Sequence, residues 1–188
     1  MKLSNRSKIE DVKIFNLDKH IDHRGYITKV FDEKIRLTLT NDSRALNYMY
    51  ETYSRRDVLR GLHYQIEKPQ SRLLRVSYGA IYDVVLDLRK SSPTFGKWQA
   101  EILSSEKSGA IWIPAGVAHG YFVMSEIAIL NIQTDYEYFQ NLQRVIKWND
   151  TSLAIDWPIY ADFPIMIPPI LSDRDELGVN FSHADFFD

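Results

Sequence analysis

Cysteine is absent from the 188 residues. That absence excludes disulfides, thiolate nucleophiles and thiolate metal sites together, fits a reducing compartment, and leaves catalysis to other side chains. An excess of either charge is missing too: 23 Lys+Arg stand against 25 Asp+Glu, a formal net charge of −2. The chain therefore has no general attraction for nucleic acid or an anionic membrane, and an anionic ligand has to be met by local arginines. No hydrophobic run approaches a membrane span, and Met1 to Val12 lack an apolar core of signal-peptide length. The expectation is a soluble cytoplasmic protein that binds neither nucleic acid nor membrane. Glycines and prolines, 8 and 7, are few and scattered, with no linker, repeat or like-charge block to mark a boundary. One unit over residues 1–188 is the simplest reading, and a domain of that length buries roughly 70% of its unfolded surface without a covalent staple.

What is present is β pattern. Between Leu73 and Leu130 short period-two runs alternate with turn signals such as Ser91-Ser92-Pro93 and Ser104-Ser105-Glu106. In Ile81 to Leu88, alternation sets Tyr82, Val84, Leu86 and Leu88 on one face and Ile81, Asp83, Val85 and Asp87 on the other. One face is expected to pack and the other to be partly polar. Six or more such runs without amphipathic helices between them predict an all-β, antiparallel sandwich or jelly-roll barrel rather than βα units. Helix is expected to be minor, with short candidates at Asp32 to Leu39 and around Asn141 to Lys147.

Two segments suggest chemistry. Val58 to Gln65 places Arg60 and His63 in an apolar, strand-like run, where an imidazole facing a pocket can exchange a proton near neutral pH. A histidine with both nitrogens satisfied in the core is the competing reading of His63 taken alone. In Ile111 to Tyr121, Pro114 and Gly116 form a turn that aims His119 inward. Pro-x-Gly-x-x-His is also half of a cupin metal signature, but His63 is followed by Tyr64 and Gln65 and no second histidine is near. Two histidines fall short of the three or four protein ligands of a tight site, so a metal-free pocket without cofactor is expected. With His63, His119 and cations such as Arg24, Arg60 and Arg72, proton transfer is the remaining reaction type, one cation stabilising an enolate and others holding an anionic handle. Arg55, Arg56 and Arg89 read as surface arginines with carboxylate neighbours.

Asp22 to Gly25, Val58 to Gln65, Gln70 to Leu73, Ser92 to Trp98, Ile113 to Gly120, Lys147 to Asp150 and Leu171 to Asp175 together resemble the dTDP-4-dehydrorhamnose 3,5-epimerase family, in its order and across nearly the whole chain. The resemblance implies a cupin-like double-stranded β-helix with an N-terminal swapped or dimer-contacting segment and a C-terminal extension. It also implies a homodimer whose neighbouring chain helps bind nucleotide, and a nucleotide-diphospho-4-keto-6-deoxyhexose as substrate.

By the same resemblance His63 matches the base beside the C4 ketone and Asp175 its carboxylate partner, with Asp173 the competing acid. Arg72 stands where the family has a lysine near the enolate oxygen, and Arg24, Arg60 and Arg174 match positions near the diphosphate. His119 matches a sugar contact. Lys29, Tyr48 and Tyr50 fall where the family contacts the base. The family's acid, a tyrosine shortly after Ala128, falls on Asn131 or Ile132, which leaves Tyr121, Tyr136, Tyr138 or water to return a proton. Inversion at one carbon or at two is implied. The rival readings are a 3,4-ketoisomerase of the same fold, a sugar-nucleotide binding protein without catalysis, and a metal-dependent cupin. Strict alternation would put Arg60 and His63 on opposite faces, so Gly61 has to bend or bulge if both meet one ligand.

Overall fold

The period-two runs become strands in the computed structural model, which describes residues 2–4, 7–40, 44–159 and 168–188. Strands β1 (Lys2–Ser4) and β2 (Lys13–Asn16) precede a small hairpin of β3 (Lys19–Asp22) and β4 (Gly25–Thr28), then helix α1 (Glu33–Leu39). Next come β5 (Tyr48–Arg55), β6 (Leu59–Gln65), β7 (Arg72–Tyr78), β8 (Ala80–Asp87) and β9 (Trp98–Ser104). They are followed by β10 (Gly109–Ile113), β11 (Val117–Val123) and β12 (Ile127–Thr134). A short β13 (Gln143–Val145) and the one-turn helix α2 (Asp173–Glu176) lie toward the carboxyl end. One sheet has the order β1-β2-β10-β7-β12-β5 and the other β13-β6-β11-β8-β9, with every ladder antiparallel. This is the all-β jelly roll expected from the sequence.

The predicted alternation of β8 holds and sorts its residues into two cores. Ile81 and Val85 join Leu74, Ile111, Ile113 and Leu130 between the sheets. Val84, Leu86 and Leu88 join Leu62, Phe122 and Ile146 on the outer face, where Trp157, Phe181 and Phe187 of the carboxyl-terminal segment cover them. Both faces therefore pack, where one partly polar face was expected, and Asp83 and Asp87 are buried with the rest. Helix α1 forms where predicted, its N-terminus capped by Asp32, which accepts from the Ile35 amide at 2.8 Å. It sets Ile35 and Leu39 on the outer face of the six-stranded sheet, against Phe15, Leu73 and Trp112.

The second helix candidate fails. Gln143 to Val145 pair with Gln65 to His63 as β13, because three residues satisfy either period and the open edge of β6 offers ladder bonds that a lone turn of helix does not. Arg89 also departs from its surface reading: its guanidinium is largely buried, 2.9 Å from Asp87 and 3.3 Å from Asp11. Among the described residues no helix is long and apolar enough to cross a membrane.

Candidate active site

The bend required at Gly61 is present. Its φ is +109°, and the β6–β11 ladder shifts register between His119 and Tyr121. A Cβ there would stand 2.6 Å from the His119 carbonyl oxygen and 2.7 Å from Gly120 Cα, so only glycine fits. The bulge turns Arg60 and His63 into one cavity of about 550 Å³ between the sheets. That volume suits a drug-sized or nucleotide-sized ligand.

His63 meets Asp175 through Nε2 and the carboxylate Oδ1 in a short hydrogen bond. Helix α2 fixes that carboxylate: Ser172 Oγ caps the helix by accepting from the Asp175 amide at 3.2 Å and donates to Oδ2 at 2.8 Å. The Gly61 amide donates to Oδ1 at 3.3 Å. Asp175 is buried while Asp173 is exposed, which decides between the two acids. Desolvation pushes the Asp175 carboxyl up, but the bonds from His63, Ser172 and Gly61 outweigh it and hold the group below the usual carboxylate range.

Burial holds the His63 imidazole below its usual value; Asp175 opposes that shift, and the charges of Arg72 and His119 add to it. The ring is thus neutral near pH 7. Its Nδ1 has no hydrogen-bond partner among the described residues while Nε2 is engaged, which is the arrangement of a base awaiting a proton.

Arg72 donates from Nη1 to the His63 carbonyl at 3.1 Å and from Nη2 to Gln70 Oε1 at 3.4 Å. Burial takes its guanidinium down to about 10, against the opposing charges of Asp135 and Asp83, so it stays cationic at neutral pH. His119, brought opposite His63 by the β6–β11 ladder, lies 2.6 Å through Nε2 from Asp83 Oδ2. Asp83 as its partner escaped the sequence reading, although a carboxylate alternating with Ile81 and Val85 on a packing face was a signal for it. Among the described residues no group of three or more His, Asp or Glu side chains is arranged to hold a metal ion.

The cavity gathers most of the predicted positions: His63, Asp175, Arg72, Arg60, His119, Arg174, Tyr138 and Tyr50 all line it. At its mouth Arg174 donates to the Tyr138 hydroxyl at 2.7 Å and to Gln143, and the Tyr50 hydroxyl accepts from the Tyr138 amide at 3.0 Å. Arg24, Lys29 and Tyr48 are not in it. Arg24 sits exposed on the β3–β4 hairpin, paired with Asp22 at 2.6 Å. Lys29 pairs with Asp32 at 2.9 Å beside a separate cavity of about 430 Å³. Tyr48 begins β5, the edge strand of its sheet. Of the two positions considered for the family's tyrosine, Ile132 lines the cavity while Asn131 faces away and donates to Glu51 at 2.9 Å.

A jelly-roll cavity with a carboxylate-held imidazole and a buried cation beside it defines an acid–base isomerase of the cupin-like class. Comparison narrows that class. The chain belongs to the dTDP-4-dehydrorhamnose 3,5-epimerase family, whose model matches residues 6–183. It is 39% identical over 184 residues to the dTDP-4-dehydrorhamnose 3,5-epimerase of Pseudomonas aeruginosa, covering 97% of each chain. Among solved structures it resembles a dTDP-6-deoxy-D-glucose-3,5-epimerase of Legionella pneumophila in complex with dTDP-4-keto-L-rhamnose. There the TM-score is 0.89 at 33% identity, with 98% of this chain and 94% of that one covered. A 3'-monoepimerase of Streptomyces bikiniensis in complex with dTDP-quinovose aligns with a TM-score of 0.82 at 29% identity, over 94% of this chain and 86% of that one.

Proposed function

We propose that the chain is an epimerase of a nucleotide-diphospho-4-keto-6-deoxyhexose, working by proton abstraction next to the ketone without metal or cofactor. The observation that carries this reading is the His63–Asp175 pair opening on a cavity of about 550 Å³ with Arg72 against the same strand. His63 takes a proton from the carbon beside C4. Asp175 holds the ring through Nε2 and stabilises the imidazolium that forms. Arg72 stabilises the enolate oxygen, and its buried setting strengthens that charge relative to water. Arg60 and Arg174 hold the diphosphate, His119 the sugar, and Tyr50 and Tyr138 the nucleoside end.

The protein acts as a homodimer. Ile21, Tyr26 and Ile27 expose 76%, 51% and 73% of their surface on the β3–β4 hairpin, an apolar patch that a second copy of the chain would cover. Arg24 and Lys29, carried on and beside that hairpin, and Tyr48 on the open edge of β5 would then serve the neighbouring copy's cavity. Light scattering giving twice the chain mass supports this arrangement, and a monomer at micromolar concentration removes it.

Solvent deuterium uptake at C3 and C5 of a dTDP-linked 4-keto-6-deoxyglucose, followed by NMR, tests the chemistry and counts the inverted centres. Exchange is expected in the wild type and at least ~10²-fold slower in His63→Asn. No exchange with any nucleotide-linked ketosugar, or undiminished exchange in the variant, removes the proposal.

A further inference from the structure

Inversion needs two groups, because a proton returned by the base itself goes back to the face it left. We propose that Tyr121 is the acid that returns the proton on the opposite face, an inference that rests on the epimerase reading above.

Position separates the tyrosines. Tyr136 does not line the cavity; its ring lies 5.2 Å from the Arg44 guanidinium. Tyr138 stands half exposed at the mouth with its hydroxyl already donated to Gln143 Oε1 at 2.8 Å. Tyr121 is buried at 3% exposure and still lines the cavity. It leaves β11 beside His119 and crosses the interior, so that its hydroxyl meets Thr52 Oγ1 at 2.9 Å on β5 of the facing sheet. His63 stands on β6 of the five-stranded sheet, and the phenol oxygen is anchored on β5 of the six-stranded one. A sugar ring held between them has the base on one side and the hydroxyl on the other. On that wall the neighbouring inward position of β12 is Ile132, and Tyr50 of β5 lies at the mouth, its hydroxyl accepting from the Tyr138 amide at 3.0 Å.

The surroundings also suit proton donation. Tyr121 Oη lies 3.5 Å from Ser54 Oγ, which accepts from Arg60 Nε at 3.1 Å, so a guanidinium is linked through one hydroxyl to the phenol. These contacts hold the phenol oxygen in place at the cavity wall. A phenylalanine would fill the same space, so packing alone does not require the oxygen.

The step balances. His63 takes the carbon-bound proton, the C–H electron pair becomes the enolate, and the negative oxygen rests against Arg72. Tyr121 then gives its O–H proton to the carbon on the opposite face, the ketone reforms, and a phenolate and an imidazolium remain. Water supplies a proton to the first and takes one from the second, with no net change.

The test is Tyr121→Phe with dTDP-linked 4-keto-6-deoxyglucose in deuterium oxide, comparing exchange with inversion. The expected variant still incorporates deuterium into recovered substrate of original configuration, through His63 alone, while inverted product falls at least ~10²-fold. Inverted product at the wild-type rate overturns the assignment. Wild-type protein that shows no exchange instead overturns the epimerase reading, so the two failures are distinct. Should the phenylalanine variant not fold, Thr52→Val removes the 2.9 Å partner of the hydroxyl and carries the test. A shift from inversion toward exchange without inversion supports the role, and an unchanged ratio overturns it.

Discussion

Two buried aspartates four residues apart on one face of β8 live in opposite circumstances. Asp87 accepts from Arg89 Nε and Nη2 at 2.9 Å each and from Ser92 and Thr94 hydroxyls at 2.6 Å each. Asp83 accepts one bond, from His119, and its Oδ1 is buried with no hydrogen-bond partner among the described residues. The first is a closed polar knot that ties the β8–β9 turn to the Glu10–Asp11 loop. The second stands behind His119, which lines a cavity whose polar atoms are left with capacity to spare, His63 Nδ1 among them. Closed networks hold a fold in one arrangement, and open ones keep donors and acceptors ready for a ligand. One strand supplies both, with its far end stabilising what its middle leaves unsatisfied.

Substitution in each region should break the comparison in a different measurement. In the open cavity, Asp175→Asn on α2 is expected to lower the epimerisation rate by about 10²–10⁴-fold with little change in melting temperature, because it removes the partner that stabilises the imidazolium. A loss under tenfold would show that His63 does not depend on the Asp175 carboxylate. At the closed end, Asp87→Ala strands the Arg89 guanidinium and the two hydroxyls, and should cost about 3 kcal/mol of unfolding free energy in denaturant titration. Its effect on rate below the unfolding transition should be small. A large loss of rate in the folded variant would show that the Asp87 network and the cavity are coupled.

Much of this layout was legible in the chain, and the reasons differ by element. The alternation of Ile81 to Leu88 sorts residues to two faces because side-chain direction in a strand depends only on parity. The same rule forced the bulge at Gly61 once Arg60 and His63 were required to share a ligand, and the positive φ there is that bulge. Residues 141–147 were misread because three residues cannot distinguish the two periods when an open sheet edge decides the outcome. Asp83 was placed on the correct face, yet its partnership with His119 depends on strand order, β8 beside β11 beside β6, which periodicity does not contain. Arg24, Lys29 and Tyr48 lie outside the cavity, which a sequence motif does not foresee because it carries residue order and not spatial placement.

Acid titration separates the two regions further. Desolvation raises the Asp87 carboxyl, but the bonds from Arg89, Ser92 and Thr94 win and hold it at about 2 against an ordinary 3.8. A folded-state value below the unfolded one means that the unfolded chain binds the proton first. This stability is therefore present above the ordinary value and is lost as pH falls through the window between the two. The catalytic limb belongs at higher pH. His63 must be neutral to accept a proton, and burial holds it below 6.5, so kcat/KM should rise with pH along a limb below that value and level off above it. Asp175→Asn removes the bond and charge that oppose the lowering, so its residual limb should move to lower pH, while Asp87→Ala should leave the limb in place. A limb above 6.5, or one that follows Asp87, would join what the geometry separates.

The smallest expected effect concerns Arg72, whose guanidinium is held by the His63 carbonyl at 3.1 Å and Gln70 at 3.4 Å. Lysine at this position keeps the positive charge as a compact ammonium but loses the planar fork that spans both acceptors. If charge on the enolate oxygen is what matters, Arg72→Lys should retain the rate to within about tenfold, whereas Arg72→Met should lose about 10²-fold or more. Equal losses in the two variants would mean that the fork's grip on β6 and Gln70 is the contribution. Arg72 would then belong with Arg89, as part of the closed structure rather than of the open site.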